Sequence, residues 1–119
     1  MRARLRNVVL EAADPWRLAE FYAGLTGWRV EEGGADWVTV SDDGYIRLAV
    51  QLAPGQKPPT WPDPASSMQF HLDFMVDDLG EAERRAVELG ATKMAHQPGG
   101  EDFEVYADPA GHPFCLCVR

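Results

Sequence analysis

The sequence predicts an α+β fold made of two β-α-β-β-β modules, residues about 4–52 and 68–118, whose strands form a curled, mostly antiparallel sheet with one helix per module. Three observations predict it. Two stretches of helical apolar periodicity each start at an aspartate and stop at a glycine. Each is preceded by one short strand-like run and followed by three. A shift of 64 positions then carries the first half onto the second, taking Asn7 to His71, Asp14 to Asp78, Leu25 to Leu89 and Gln51 to Cys115, which is the signature of a duplicated unit.

Each element has a local cause. Leu5 to Ala12 alternates as a half-buried strand. Asp14 is placed to cap a helix with Pro15 at its first position, and Leu18, Phe21, Tyr22 and Leu25 then share one face until Gly27. Trp28 to Glu32, Trp37 to Ser41 and Tyr45 to Leu52 read as strands, divided by Gly33-Gly34 and by Asp42-Asp43-Gly44. Residues 53–67 carry five prolines and cannot continue a sheet, so they form a connecting loop with Trp61 near its middle.

The pattern then repeats. Met68 to Val76 is a strand, Asp77 or Asp78 caps a helix with Leu79, Ala82, Ala86 and Leu89 on one face, and Gly90 ends it. Thr92 to His96, Phe103 to Ala107 and Pro113 to Val118 complete the module, the last two joined by the turn D-P-A-G-H. With 119 residues in all, the expectation is a single domain, 1–119, of two repeats.

Composition narrows the function classes. A net charge of -8 repels phosphate backbones and acidic bilayers, which argues against nucleic acid and membrane surfaces as partners. No apolar run is long enough to span a bilayer, and the first residues lack a signal-peptide pattern, so the cytoplasm is the expected location. Cys115 and Cys117 are two apart on one expected strand, a poor geometry for a disulfide, and read as reduced thiols.

Strand alternation sorts the polar residues. If Leu72, Phe74 and Val76 face the helix, then His71, Asp73 and Met75 face away from it, as do Asn7, Val9 and Glu11 in the first copy. The same rule leaves Arg47, Ala49 and Gln51 of the fourth strand, and Cys115 and Cys117 of the last, on the side away from the helices. Such a surface either meets water or lines a hollow; Trp37, Trp61 and Met75 would make that hollow partly apolar and suited to a small organic ligand. His71 with Asp73 is the candidate acid-base pair, against the plainer reading of a solvated strand histidine. Arg47 is expected to pair with Glu11 or Asp73, or to receive an anionic group. Trp16 and Trp28 are assigned to packing, and Trp61 to a mobile lid. His96 and His112 are expected at the surface, and Glu101, Asp102 and Glu104 on a solvated edge.

These residues resemble a known family. The run VVLEAADPWRLAEFYAGLTGW, the stretch H-L-D-F-M-V-D-D-L and the closing Y-A-D-P-A-G-H-P-F-C-L-C look like the vicinal oxygen chelate superfamily, which includes glyoxalase I, bleomycin-resistance proteins, fosfomycin-resistance enzymes and extradiol dioxygenases. The resemblance covers nearly the whole chain. It implies a divalent metal held by histidines and glutamates of four strands, at places that fall here on Asn7, Gln51, His71 and Cys115. Only His71 keeps the residue type. The resemblance also implies a homodimer.

Three readings follow from it. The first is a small-molecule-binding protein without the full metal site, contacting its ligand through Asn7, Glu11, Trp37, Arg47, Gln51, Trp61, Met75 and Cys115 around His71 and Asp73. The second is a lyase, isomerase or dioxygenase-type enzyme of the superfamily, with zinc, iron or manganese on His71 and Cys115 or acid-base chemistry at His71 and Asp73. The third is a structural or regulatory domain with a vestigial site.

Overall fold

The computed structural model describes residues 1–31 and 33–119. The chain divides into two compact units, Met1–Gln56 and Lys57–Arg119. Each carries the order β-α-β-β-β: β1 (Asn7–Ala12), α1 (Pro15–Thr26), β2 (Arg29–Val30), β3 (Trp37–Ser41) and β4 (Arg47–Leu52), then β5 (Leu72–Met75), α2 (Leu79–Leu89), β6 (Thr92–Lys93), β7 (Phe103–Ala107) and β8 (Pro113–Cys117). Among the described residues, no helix is long and apolar enough to cross a membrane.

The first unit is a four-stranded sheet ordered β1-β4-β3-β2, with β1 parallel to β4 and the other pairs antiparallel. Its helix begins where expected: the Asp14 side chain accepts from the Arg17 amide at 3.2 Å, Pro15 needs no donor, and Gly27 closes the end at φ 78°, in the left-handed region. Leu18, Phe21 and Tyr22 of α1 are buried, as are Val38, Val40, Leu48 and Val50 of the sheet face beneath it. Each such side chain contributes roughly 1.5–3 kcal/mol by leaving water.

The second unit repeats the plan as β5-β8-β7-β6, with β5 parallel to β8. Asp78, rather than Asp77, caps α2 by accepting from the Glu81 amide at 3.0 Å. Tyr106 and Phe114 stack at 5.5 Å between ring centres, and Phe74 meets Phe114 edge-on at 6.1 Å. Beside them Lys93 joins the helix to the sheet, 2.5 Å from Glu83 and 2.9 Å from Glu104, while the Tyr106 hydroxyl donates to Glu104 at 2.9 Å. Burial, reinforced by Glu104, pushes the Tyr106 phenol well above its usual range, so it stays a donor. Glu104 is therefore a paired group and not part of a solvated edge.

The closing turn owes its shape to Asp108, whose carboxylate accepts from the Ala110 and His112 amides at 2.9 and 3.0 Å. Gly111 then takes φ 90° with Pro58 of the proline-rich loop lying where a Cβ would project. That loop is ordered by its own bonds. Thr60 donates its amide to the Ser66 hydroxyl, and Asp63 caps a 3₁₀ turn over Pro64–Ser66.

Several strands are shorter than the pattern suggests. Leu5 and Arg6 precede β1, Tyr45 and Ile46 precede β4, and β2 covers only Arg29–Val30, with Glu32, the expected end of that strand, outside the described residues. Gln69 sits at φ 63° and turns the chain, so Met68 to His71 lie ahead of β5. In place of a longer β6, the Gln97 side chain bonds both backbone groups of Val105, its Nε2 donating at 2.7 Å and its Oε1 accepting at 2.8 Å.

Candidate functional site

In the second unit, register alone puts Asp73 beside Cys115 and Met75 beside Cys117 on adjacent parallel strands. Leu72 and Phe74 pair with the buried Phe114 and Leu116, so the helix takes that side and the carboxylate and thiols take the other. His71, just before β5, places Nε2 3.2 Å from the Asp73 carboxylate. The imidazole, this carboxylate and the Cys115 sulfur each offer an atom within 4.8 Å of the others.

Electrostatics separates the three. Burial, with the Asp73 carboxylate next to it, pushes the Cys115 thiol up to about 12, and burial raises Cys117 in the same direction. Both thiols hold their protons at neutral pH, which makes them poor nucleophiles. The His71 and Asp73 side chains are 40% and 62% exposed, so their contact is a solvent-screened pair that orients the ring more than it stabilises the fold. An imidazole oriented by a carboxylate can take or give one proton at a ligand on this face.

The same face is partly roofed. Val105, Cys115 and Cys117 form an apolar cluster against which Trp61, Met68, Met94 and Phe103 pack. Trp61 also lies against His96, ring centres 5.3 Å apart. This bears on two expectations. Trp61 is half-buried in a defined seat, because an indole over a thiol-lined apolar face is better packed there than in water, whereas Trp16, expected to pack, is 39% exposed on the outer side of α1. Single-tryptophan variants should therefore show acrylamide quenching Trp16 more strongly than Trp61; the reverse order would restore the lid.

In the first unit the face away from α1 collects Asn7, Glu11, Trp37, Arg47 and Gln51, with Asn7 paired to Arg47, Glu11 to Gln51 and Trp37 to Gln51 in register. Among the described residues of its own unit, Arg47 pairs with Asn7 and Glu31 rather than with Glu11. Its Nε donates to Asn7 at 3.1 Å, and Nη1 lies 3.6 Å from Glu31. Glu31 is the residue that sequence reasoning missed. It follows β2, continues the ladder by donating its amide to Thr39, and receives the Thr39 hydroxyl at 2.8 Å and the Ser41 hydroxyl. Those bonds, from Ser41 and then Thr39, with Arg47 and Arg6 nearby, hold the Glu31 carboxyl below its usual range. The signal was present in W-V-T-V-S, where two hydroxyls alternate along an otherwise buried strand.

Comparison with known proteins comes to the same fold. A family model described as "Glyoxalase-like domain" matches residues 7–117. No curated protein matches the chain in sequence. Among solved structures, a glyoxalase/bleomycin resistance protein/dioxygenase family enzyme from Burkholderia phytofirmans is similar with a TM-score of 0.74 at 18% identity, over 96% of this chain and 97% of that one. The fosfomycin resistance protein FosX from Mesorhizobium loti gives 0.71 at 18% identity, over 100% and 94%. A glyoxalase-related enzyme from Fulvimarina pelagi gives 0.68 at 19% identity, over 98% and 88%.

Proposed function

We propose that this chain, which belongs to the glyoxalase-like domain family and so to the vicinal oxygen chelate superfamily, binds a small organic molecule through the sheet faces turned away from its helices and does so without the superfamily's divalent metal. The ligand is aromatic or amphipathic, contacts Trp61 and Met75, and meets His71 and Asp73 as its polar partners. In the first unit Trp37, Arg47, Gln51, Glu11 and Asn7 form the like-facing set.

The observation that carries the metal-free reading is the state of the donors. The Asn7 carbonyl oxygen already accepts from Arg47 at 3.1 Å, and Cys115 puts a soft sulfur where the superfamily has a carboxylate. A hard divalent ion favours carboxylates and neutral imidazoles, and Asn7 and Gln51 bring no anionic charge. The residues at the superfamily's four positions therefore do not fit that ion. The second reading, an enzyme with a divalent ion, draws its support from the grouping of His71, Asp73 and Cys115.

We also propose a cytoplasmic homodimer. Support comes from two free thiols, and from Phe70 and Met75, which are 89% and 69% exposed beside the edge strand β5. One experiment addresses the whole reading: native mass spectrometry of protein purified without a His-tag, followed by a thermal-shift panel of aromatic and amphipathic compounds. The expected result is a dimer of 13.2 kDa chains free of divalent metal, stabilised by at least one compound whose effect Trp61→Ala removes. Stoichiometric zinc, iron or manganese that His71→Ala abolishes would overturn the metal-free reading and favour the enzyme instead. A metal-free protein that no compound stabilises would leave the vestigial domain, and a 13.2 kDa species alone would remove the dimer.

A further inference from the structure

The chain has two cysteines and four methionines, and every one of these sulfurs except that of Met1 is gathered in the second unit, at one face. Cys115 and Cys117 are alternate residues of β8 and project to the same side. Met75 is the register partner of Cys117 on β5. Met68, from the end of the proline-rich loop, and Met94, just after β6, pack from above against Cys115, Cys117 and Val105. His71 stands at the rim, within 4.8 Å of the Cys115 sulfur. We propose that this juxtaposition of Cys115, Cys117, Met68 and Met94 beneath Trp61 is a binding site for a soft monovalent cation of the copper(I) or silver(I) class.

The chemistry of the donors selects the ion. Thiolate and thioether sulfurs are soft ligands that favour copper(I), whereas magnesium, calcium and manganese take oxygen donors. Thioethers add no charge, so the balance rests on the thiols. Among the four sulfurs one thiolate balances a monovalent ion, whereas a divalent ion would also have to draw on the Asp73 carboxylate, an oxygen donor 62% exposed outside the apolar cluster. Binding releases one proton, from the thiol that ligates as a thiolate, while the other cysteine ligates as a neutral thiol. With one thiolate the bound ion is neutral, with the second sulfur and the methionines completing its shell. Cys115 and Cys117 are 4% and 6% exposed, and Trp61 lies over them, so the seat is shielded from water.

Packing alone would explain any one of these residues, since methionine fills irregular gaps and a buried cysteine behaves as a small hydrophobe. It gives no reason for two thiols to face two thioethers across one cluster with an imidazole at its edge.

The test is an anaerobic titration of the whole reduced protein with copper(I) against bicinchoninate, a coloured copper(I) chelator. The expected result is one equivalent withheld from the chelator, with Trp61 emission quenched as the ion fills the seat below it. Cys115→Ser and Cys117→Ser should each weaken binding by more than the roughly 10–100-fold that loss of a merely supporting group costs a metal site. Met68→Leu with Met94→Leu, which keeps apolar volume and so keeps the fold, should weaken it less, with circular dichroism unchanged. X-ray absorption at the copper edge should report sulfur neighbours. No copper withheld from the chelator, equal retention by the Cys115→Ser/Cys117→Ser double variant, or a copper shell of nitrogen and oxygen alone would each overturn the site. A protein that withholds copper but binds no organic compound keeps this site and loses the function proposed above.

Discussion

Phe114→Ala is expected to remove about 3–5 kcal/mol of stability from the second unit, the range for deleting a buried aromatic ring from a core. Phe114 is 0% exposed on β8, which lies between β5 and β7, and its neighbours in register are Leu72 and Tyr106. Its ring contacts both Tyr106 and Phe74, so the deletion removes a contact from each. The space cannot close easily, because Tyr106 is held through its hydroxyl to Glu104 and Glu104 to Lys93. Urea unfolding followed by far-ultraviolet circular dichroism reads the loss. A change below ~1 kcal/mol would mean that the cavity collapses and that the stack contributes little.

Gly111→Ala should be nearly as costly, for a different reason. At φ 90° an L side chain is strained, and a Cβ there would stand 2.5 and 2.6 Å from the Cβ and Cγ of Pro58. The conformational part alone is of order 1–2 kcal/mol. The contact adds to it, because backbone on one side and a proline ring on the other leave no flexible end to yield. The proline-rich loop is then the element that moves. Trp61 should leave its seat, so the variant is expected to show both a lower midpoint and red-shifted tryptophan emission. A variant with wild-type stability and emission would show that Pro58 retreats without disturbing the loop.

What could be read from sequence was local. Asp14 with Gly27 and Asp78 with Gly90 mark both helices because a cap is satisfied by amides within a few residues and a helix stop by one left-handed glycine. Trp37–Ser41 and Phe103–Ala107 end where alternation says they should. The two modules, and the sharing of one face by Asp73 and Cys115, followed from period and offset. The misses depend on partners distant in sequence. Arg47 reaches Asn7 and Glu31, and no periodicity announces which carboxylate a guanidinium will find. Trp61 lies in a stretch with no strand or helix, so its seat on Cys115 and Cys117 is a tertiary fact. His71 stays outside β5 because Gln69 adopts a left-handed turn that nothing in its side chain advertises.

The parallel pairing of β5 with β8 also bears on chain entropy. Leu72 meets Phe114 across 42 residues (114 minus 72), whereas Ala107 meets Pro113 across only 6 (113 minus 107). On the logarithmic dependence of closure on length, the wider loop costs roughly 1.7 kcal/mol more to close. Asp73 is thus tethered to its sheet by the most expensive join of its half, and Cys115 also by the cheapest. The spacing between that carboxylate and that sulfur is only as dependable as the longer of the two connections.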